Sequence, residues 1–123
     1  DDSIILSVTM IFPDGDPEKI RKNMKEFTNH RKNTQPSALY NAGSVFKNGE
    51  DYYAAELIEN AGLKGYKIDG VRVSEKHSNF FIADKDAKSS ALYKLVNFVK
   101  DSIFDKYDVM LQEEIIFVGD FSW

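Results

Sequence analysis

The chain has 123 residues, fewer than the ~150 typical of a domain, so we expect a single domain. It is 42% hydrophobic and 29% charged, a balance that supports a buried core and excludes disordered, collagenous and coiled-coil proteins. Twenty acidic against sixteen basic residues give a net charge of −4, which argues against non-specific binding of nucleic acid.

The start of the chain predicts a strand followed by a helix. Residues 4–12 are rich in β-branched side chains and place apolar residues on one face, the pattern of a long strand. Asp16 and Pro17 form a helix start, with a carboxylate at the N-cap and proline at the first helical position. This helix is predicted to run to about His30. Its predicted buried stripe consists of Ile20, Met24 and Phe27.

The middle of the chain predicts a long loop and a second helix. Residues 31–43, rich in Asn, Gln, Pro and Ser, predict a loop of about a dozen residues, a length that points to function. Val45 and Phe46 predict a short extended segment. The second helix is expected to end at Gly62, because glycine readily adopts the left-handed conformation that closes helices. Its predicted buried face consists of Ala54, Leu57, Ile58 and Ala61.

The remaining segments predict strands around a third helix. Strand segments are predicted at residues 66–73, 79–83, 109–111 and 115–118. Asp84 or Asp86 is the predicted cap of the third helix. Its predicted buried stripe consists of Leu92, Leu95, Val96, Val99 and Ile103. Because helices and strands alternate irregularly, we predict an α+β fold: a single domain with a small mixed β-sheet packed by about three helices.

The segment from Tyr40 to Asn48 holds the densest group of chemically useful residues. If the backbone is tight at Gly43, the Ser44 hydroxyl is presented with little steric cover. A serine hydroxyl is a weak acid unless a nearby cation or dipole stabilises its alkoxide, and Lys47 lies three residues on. Taken alone, the pattern favours the plainer interpretation, in which Ser44 is a turn residue that hydrogen-bonds its own backbone.

Two further polar segments are candidates for a binding site. Residues 74–79 link two predicted strands and form either an exposed turn or a rim of donors for a phosphate or sugar. Glu113 and Glu114 occupy successive positions of an extended segment, so their side chains point to opposite faces. One carboxylate is expected to be exposed and the other to face a cleft, although a solvated acid is the default for either.

Several kinds of site are excluded. The chain has no Cys, so it forms no disulfide, thiolate nucleophile or thiolate metal site. His30 and His77 lie far apart without a matching acidic motif, and we expect no metal. The Gly-x-Ser-x-Gly pattern of hydrolases is absent. No apolar run approaches the ~20 residues that span a bilayer, so we expect no membrane segment. Without an initiator Met or a leader pattern, the chain is expected to be either a processed product or, in preference, a piece of a longer protein.

Four blocks of sequence, taken in order, resemble one known family. They are residues 31–36 (RKNTQP), 41–48 (NAGSVFKN), 57–65 (LIENAGLKG) and 73–80 (VSEKHSNF). Any one block is a weak signal, but four in order are specific. Over essentially its whole length, residues 1–123, the chain resembles the C-terminal substrate-binding domain of the UDP-N-acetylenolpyruvoylglucosamine reductases (MurB), flavoenzymes of bacterial cell-wall synthesis.

The resemblance implies a reaction and a set of residue roles. NADPH reduces FAD, and the flavin passes hydride to the enolpyruvyl group of UDP-N-acetylglucosamine enolpyruvate, giving UDP-N-acetylmuramate. Ser44 falls on the family's proton donor, and Glu114, rather than Glu113, on the glutamate that helps to stabilise the intermediate. Substrate-binding positions are implied at Gln35, Lys47, Asn48 and His77. The resemblance also implies a cytoplasmic bacterial enzyme of peptidoglycan synthesis.

The chain departs from the family in two respects. Where Pro-Glu-Val-Arg is usual before the final strand, this chain has Glu113-Glu114-Ile115-Ile116, which lacks the rigid residue and the cation. The family's FAD-binding N-terminal domains, which also supply the arginine that partners the glutamate, are absent from this chain. We therefore predict that the chain alone neither holds FAD tightly nor turns over.

Two other functions remain open on the sequence alone. One is a free-standing nucleotide-sugar-binding module that has this fold without catalysis, and the other is an interaction domain with no small-molecule site. Binding of UDP-N-acetylglucosamine, measured for the chain and for Ser44→Ala and Asn48→Ala variants, separates the interaction domain from the other two.

Overall fold

The computed structural model describes residues 4–36 and 40–121, which contain three helices and three short strands. The helices are α1 (Pro17–Thr34), α2 (Ala54–Asn60) and α3 (Ser89–Tyr107). The strands are β1 (Lys67–Ile68), β2 (Val71–Val73) and β3 (Phe81–Ala83). Their order, α1–α2–β1–β2–β3–α3, mixes helices and strands without a βαβ repeat. This arrangement confirms the predicted α+β class.

The sheet is antiparallel, with the strands in the order β1–β2–β3. β1 and β2 are joined by a two-residue turn, Asp69 and Gly70, whose φ angles are +44° and +90°. Positive φ at both central residues is the geometry of an Asp-Gly hairpin turn, which matches the twist of the flanking strands. The prediction of one strand over residues 66–73 is therefore wrong, because this turn reverses the chain in its middle.

An extended segment on the far side of β3 continues the sheet by single bridges. Ser44 pairs with Phe80 just before β3, and Phe46 pairs with Glu113 on the opposite side. The extended conformation predicted for Val45 and Phe46 is thus confirmed. Both residues are 1% exposed, so this segment belongs to the core rather than to a surface loop.

The last two predicted strands do not form. Within residues 40–121, the segments 109–111 and 115–118 have no strand assignment, and the bridge at Glu113 lies between them. Leu111 is buried in the core, whereas Ile116 and Val118 are both 87% exposed. The chain therefore touches the edge of the sheet for a few residues and then leaves it, which is too short a contact for a strand.

Helix α3 supplies the centre of the core. It packs against α2 and against β1 and β2. The predicted stripe is confirmed, since four of its residues are fully buried and Leu92 packs against the core from its edge. The four are Leu95, Val96, Val99 and Ile103. Burying side chains of this size stabilises the fold by roughly 1.5–3 kcal/mol each.

The cap predicted for α3 is wrong. The helix begins after Lys88, which makes no side-chain cap, and neither Asp84 nor Asp86 occupies the N-cap position. Asp84 instead accepts hydrogen bonds from Lys67 (2.7 Å) and Arg72 (3.1 Å) across the hairpin. The Lys67 hydrogen bond, together with the charges of both cations, lowers the pKa of Asp84 despite the opposing effect of desolvation.

Helix α2 ends as predicted. Gly62 has a φ of +79°, and its N–H donates to the Glu59 carbonyl at 2.9 Å. The N–H of Leu63 donates to the Ile58 carbonyl at 3.1 Å, which completes the pair of bonds of a Schellman motif. Ala54 and Ile58 are fully buried, in agreement with the predicted helix face.

Helix α1 starts where it was predicted but runs further. The Asp16 carboxylate accepts the N–H two residues on at 2.9 Å, and Pro17 is the first helical residue. The helix continues to Thr34 rather than to about His30, so the predicted loop is wrong for residues 31–34. Basic residues in the last turn favour this extension, because they face the negative end of the helix dipole.

The N-terminal arm, defined as residues 4–34, contributes nothing to the core. Residues 4–12 pair with no described strand, and their large apolar side chains are 67–94% exposed. The predicted stripe of α1 is 48–66% exposed, and the helix has no buried residue. The predictions of a strand and of a buried stripe are therefore wrong here, because the rest of the described chain offers this arm neither a strand nor an apolar face.

Candidate functional site

Ser44 lies at a glycine corner on the edge of the core. Gly43 has a φ of +82°, a conformation that glycine adopts at little cost, and its N–H donates to Oδ1 of Asn41 at 3.1 Å. Ser44 is half-buried, whereas the next residue, Val45, is fully buried. The corner is thus anchored by the core on one side, and Ser44 itself is not sealed inside it.

The segments that carry Ser44 and Glu114 are direct neighbours. The N–H of Glu114 donates to the Val45 carbonyl at 2.8 Å, and the N–H of Lys47 donates to the Gln112 carbonyl at 2.8 Å. These bonds flank the Phe46–Glu113 bridge and fix the register of the two segments. The structure therefore brings the backbones of the two predicted catalytic residues together.

The two successive glutamates have different surroundings. Oε1 of Glu113 accepts a hydrogen bond from Nζ of Lys100 at 2.7 Å, with both side chains less than a third exposed. Burial alone would raise the pKa of Glu113, but the Lys100 hydrogen bond, a backbone hydrogen bond and the Lys100 charge together lower it. Glu114 is exposed. The Glu113 carboxylate is therefore paired with a lysine of α3, and the Glu114 carboxylate is the one that a ligand can reach.

A small apolar cavity adjoins the Ser44 corner, between the sheet and the start of α3. Its volume is about 200 Å³. Its lining includes Tyr40, Ala42, Val45, Leu92 and Ile115. Ligand sites usually measure ~300–1,000 Å³, so this cavity alone does not enclose a ligand of nucleotide size. It leaves an apolar surface beside the corner.

Lys47 and Asn48 line an open groove on the other side of the same segment. The groove measures about 480 Å³. Its other lining residues are Gly49, Glu50, Tyr52 and Gln112. Oδ1 of Asn48 accepts the N–H of Ala54 at 3.1 Å and so caps the first residue of α2. With its oxygen bonded in this way, Asn48 has amide N–H donors to offer a ligand, and the exposed Lys47 offers a cation.

The turn at residues 74–79 orients the ring of His77 by two contacts. The N–H of Asn79 donates to Nδ1 of His77 at 3.3 Å, and the ring lies edge-on to Phe80 with 4.8 Å between centroids. A neutral imidazole that accepts at Nδ1 carries its proton on Nε2. In that tautomer the half-buried His77 has an N–H donor at Nε2, and the donor rim stays a prediction.

Gln35 lies at the C-terminal end of α1. Its N–H donates to the Arg31 carbonyl at 2.9 Å, and the residue is half-buried. Close by, Nζ of Lys76 donates to the Lys32 carbonyl at 3.1 Å. The structure thus links this end of α1 to the turn that carries His77. The connection from Gln35 to the Ser44 corner passes through residues 37–39, which lie outside the described residues.

Two polar residues of the segment 74–79 are buried behind the corner, where the sequence predicted an exposed turn or rim. Asn79, 4% exposed, holds the backbone of Phe46 by two hydrogen bonds, accepting its N–H at 2.9 Å and donating to its carbonyl at 2.8 Å. Ser78 is 1% exposed, and its hydroxyl has no hydrogen-bond partner among the described residues. A carboxamide just before an apolar strand is the available signal for Asn79, since burying it unpaired is costly.

Neither a metal cluster nor a membrane-spanning helix is found among the described residues. In the described ranges, no cluster of three or more His, Asp or Glu side chains is placed to hold a metal ion. No helix in the same ranges combines the length and the apolar character needed to cross a membrane.

Comparison with known proteins supplies a family. Residues 35–118 match the family model described as UDP-N-acetylenolpyruvoylglucosamine reductase, C-terminal domain. The reductase of Caldicellulosiruptor bescii is 43% identical over 97 residues, covering 79% of this chain and 31% of the relative. That of Caldanaerobacter subterraneus subsp. tengcongensis is 41% identical over 117 residues, covering 95% of this chain and 39% of the relative.

A solved structure gives the same result for the fold. The crystal structure of UDP-N-acetylenolpyruvylglucosamine reductase (MurB) from Thermus caldophilus superposes with a TM-score of 0.67 and 31% sequence identity. The superposition covers 79% of this chain and 34% of that chain. The chain thus spans about a third to two-fifths of the length of the reductases that it matches.

Proposed function

Because this chain belongs to the UDP-N-acetylenolpyruvoylglucosamine reductase family, we propose that it is the substrate-binding part of such a reductase. The observation that carries the proposal is the family match over residues 35–118, since all six candidate residues lie within it. They are Gln35, Ser44, Lys47, Asn48, His77 and Glu114. The substrate is UDP-N-acetylglucosamine enolpyruvate, and its reduction to UDP-N-acetylmuramate is a step of peptidoglycan synthesis.

Ser44 is the proposed proton donor. When hydride adds to one carbon of the enolpyruvyl double bond, the carbon next to the carboxylate gains an electron pair and becomes an enol-like carbanion. The Ser44 hydroxyl gives its proton to that carbon, forming the new C–H bond and leaving an alkoxide. A hydroxyl suits this step because the carbanion is far more basic than an alkoxide. The corner at Gly43, with its φ of +82°, supports the proposal by holding the residue at the edge of the core.

Glu114 is the proposed stabiliser of the intermediate. Its exposure, and the adjacency of its backbone to the Ser44 segment through the 2.8 Å bond to Val45, support this role. Charge on the substrate changes only after hydride arrives, so a group already in position favours the transition state over the ground state. Glu113 is a poor candidate for the same role because its carboxylate is paired with Lys100.

The nucleotide-sugar diphosphate is assigned to donors on both sides of the corner. Lys47 provides a cation, while Asn48 and His77 provide N–H groups, and such donors form the strong bonds that phosphate oxygens accept. Gln35 joins this set through the contact between its end of α1 and the turn of His77. We expect the reaction in the bacterial cytoplasm, where NADPH is available.

The cofactor belongs to the remainder of the protein. FAD, reduced by NADPH, supplies the hydride. The cavity beside Ser44 measures about 200 Å³, whereas ligand sites usually measure ~300–1,000 Å³. It is too small to enclose a flavin dinucleotide, so the residues beside Ser44 fit a flavin only as one side of a larger site. The relatives carry about three-fifths of their length outside the match, enough for separate FAD-binding domains. The exposed apolar N-terminal arm supplies a surface for those domains to cover.

Binding to the 123-residue chain tests the substrate assignment. In a titration with UDP-N-acetylglucosamine enolpyruvate followed by amide NMR shifts, residues 44–48 and 74–79 are expected to respond. Asn48→Ala is expected to weaken binding, whereas Ser44→Ala is expected to bind normally because its hydroxyl acts only in the chemical step. Responses confined to other regions, or no response at millimolar ligand, contradict the proposal.

Turnover measurements test whether this chain needs the remainder of the protein for catalysis. The chain mixed with NADPH, FAD and substrate is expected to show no sustained NADPH oxidation, because the flavin has no second wall to hold it. Joined to the preceding region of its own gene, it is expected to turn over, and Ser44→Ala is expected to abolish product formation. Sustained NADPH oxidation by the chain alone refutes the proposal that catalysis needs the remainder of the protein.

A further inference from the structure

One contact holds the Glu114 segment against the body of the domain. Lys100 lies on α3, and its Nζ is 2.7 Å from Oε1 of Glu113. The two side chains are 24% and 29% exposed, so the pair is partly shielded from water. Backbone bonds on either side, from Lys47 to Gln112 and from Glu114 to Val45, join the same segment to the extended segment that carries Ser44.

We propose that Lys100 is a positioning residue, which fixes the exposed Glu114 carboxylate beside the Ser44 corner by anchoring the preceding residue, Glu113. The proposal rests on the proposed role of Glu114. Lys100 acts only through Glu113.

The need for such an anchor follows from the rest of the segment. Beyond Glu114 the chain forms no strand up to residue 121, and Ile116 and Val118 are 87% exposed. A single bridge and two backbone bonds are a weak tether for a residue that must be held to a fraction of an ångström. The ion pair to α3 adds a side-chain tether to this segment.

The anchor acts on Glu114 through the backbone, because the two residues are consecutive. Glu113 forms the bridge to Phe46, and the chain bends at Glu114 and Ile115 immediately after it. With Glu113 drawn toward Lys100 and less than a third exposed, Glu114 stays exposed at the start of that bend. A rotation that exposed Glu113 would turn the Glu114 carboxylate away from its present direction.

Hydrogen exchange of the 123-residue chain provides the first test. Lys100→Met is expected to speed exchange of the Glu114 and Lys47 amides about tenfold, because local opening no longer breaks a charge-assisted hydrogen bond. Amides of β2, β3 and α3 are expected to be unchanged. Lys94→Met is the matched control, since Lys94 is on the same helix and pairs with Asp69 at 3.2 Å on the surface. Equal effects of the two substitutions overturn the proposal.

Rescue separates positioning from simple loss of stability. Lys100→Arg keeps the cation and is expected to retain protection at Glu114. The exchange of charges in Lys100→Glu with Glu113→Lys is expected to restore most of the protection that either change alone removes. If the double variant loses as much amide protection as the two single variants lose in sum, an ion-pair anchor is contradicted.

Kinetics of the complete reductase separate this inference from the proposed function. Lys100→Met is expected to lower kcat about tenfold with little change in the KM for the nucleotide sugar, and Lys94→Met to change neither. If Lys100→Met leaves both exchange and kcat unchanged while Glu114→Gln abolishes turnover, the positioning role fails and the proposed function stands. If Glu114→Gln is fully active, the proposed role of Glu114 fails instead.

Discussion

Replacing Asn79 tests whether the extended segment that carries Ser44 is held in place by a buried side chain. Asn79 is 4% exposed and satisfies both backbone groups of Phe46, accepting the N–H at 2.9 Å and donating to the carbonyl at 2.8 Å. These are the only hydrogen bonds of the Phe46 backbone among the described residues. Asn79→Ala therefore leaves a buried donor and a buried acceptor unpaired.

The expected cost follows from those two groups. An unsatisfied buried polar group costs about 1–3 kcal/mol, so two cost about 2–6 kcal/mol, and we expect Asn79→Ala to lose about 4 kcal/mol. A domain of this size unfolds with about 5–15 kcal/mol in total, so the loss is a large share of the stability. The assay is urea unfolding followed by circular dichroism at the helix band.

Two further substitutions make this prediction sharper. Asn60→Ala, at the exposed end of α2, is the matched control and is expected to change the free energy of unfolding by less than about 0.5 kcal/mol. Asn79→Asp keeps an acceptor for the Phe46 N–H but places a carboxylate oxygen against the Phe46 carbonyl. Its stability is expected to recover as the pH falls, because a protonated carboxyl regains the donor.

The reasoning is refuted if Asn79→Ala costs no more than Asn60→Ala. That result would mean that water or a backbone shift satisfies Phe46 as well as the carboxamide does. A cost without any pH recovery in Asn79→Asp would limit the argument to the N–H of Phe46.

Three other predictions concern the corner, the anchor and the arm. Gly43→Ala is expected to lower the free energy of unfolding in urea by about 1 kcal/mol. The cause is the φ of +82° rather than a clash, since a Cβ there meets no atom within 4 Å. An unchanged free energy of unfolding contradicts a strained backbone at this corner. The pKa of Glu113 is lowered below its ordinary 4.5, so its contribution to stability is complete above that value and is lost as the pH falls through the folded-state pKa. From pH 6 to 3, the free energy of unfolding in urea is therefore expected to fall less for Glu113→Gln than for the unchanged chain. An identical fall in both proteins contradicts this prediction. The Leu6 side chain is 90% exposed, so Leu6→Asp is expected to leave the urea midpoint of this chain unchanged. The same substitution is expected to weaken co-purification of the chain with the protein encoded by the preceding region of its gene, whereas the control Ser7→Asp changes neither property. Equal co-purification of the two variants contradicts docking through the arm.

The sequence predicted best those features that depend on neighbouring residues. The end of α2 at Gly62 and the start of α1 at Asp16 each need only a glycine or a cap within one turn of the helix. The buried stripe of α3 was equally accessible, because its apolar residues repeat with the helical period over several turns. The corner at Ser44 was found in the same way, from small residues next to a hydroxyl.

Features that depend on distant partners were missed. The strand predicted for residues 4–12 has the right composition, but a strand exists only when another strand pairs with it, and none is described beside it. Asn79 binds a backbone 33 residues away, and Lys100 binds a carboxylate 13 residues away. The hairpin turn at Asp69 and Gly70 was a different error: the Asp-Gly signal is local, but the run of β-forming residues around it concealed it.

These distant contacts also hold the Ser44 and Glu114 segments together within this chain, whereas the proposed reaction needs a longer one. Val45 and Phe46 are buried in the domain's own core, and the segments on both sides of them are held by Asn79 and by the anchor from Lys100. None of these contacts involves the N-terminal arm or any residue before position 40. The Ser44 corner and the Glu114 segment therefore keep their relative position without the rest of the protein. The isolated chain is expected to lose affinity for its substrate, because a second wall is missing, rather than to lose the geometry of its site.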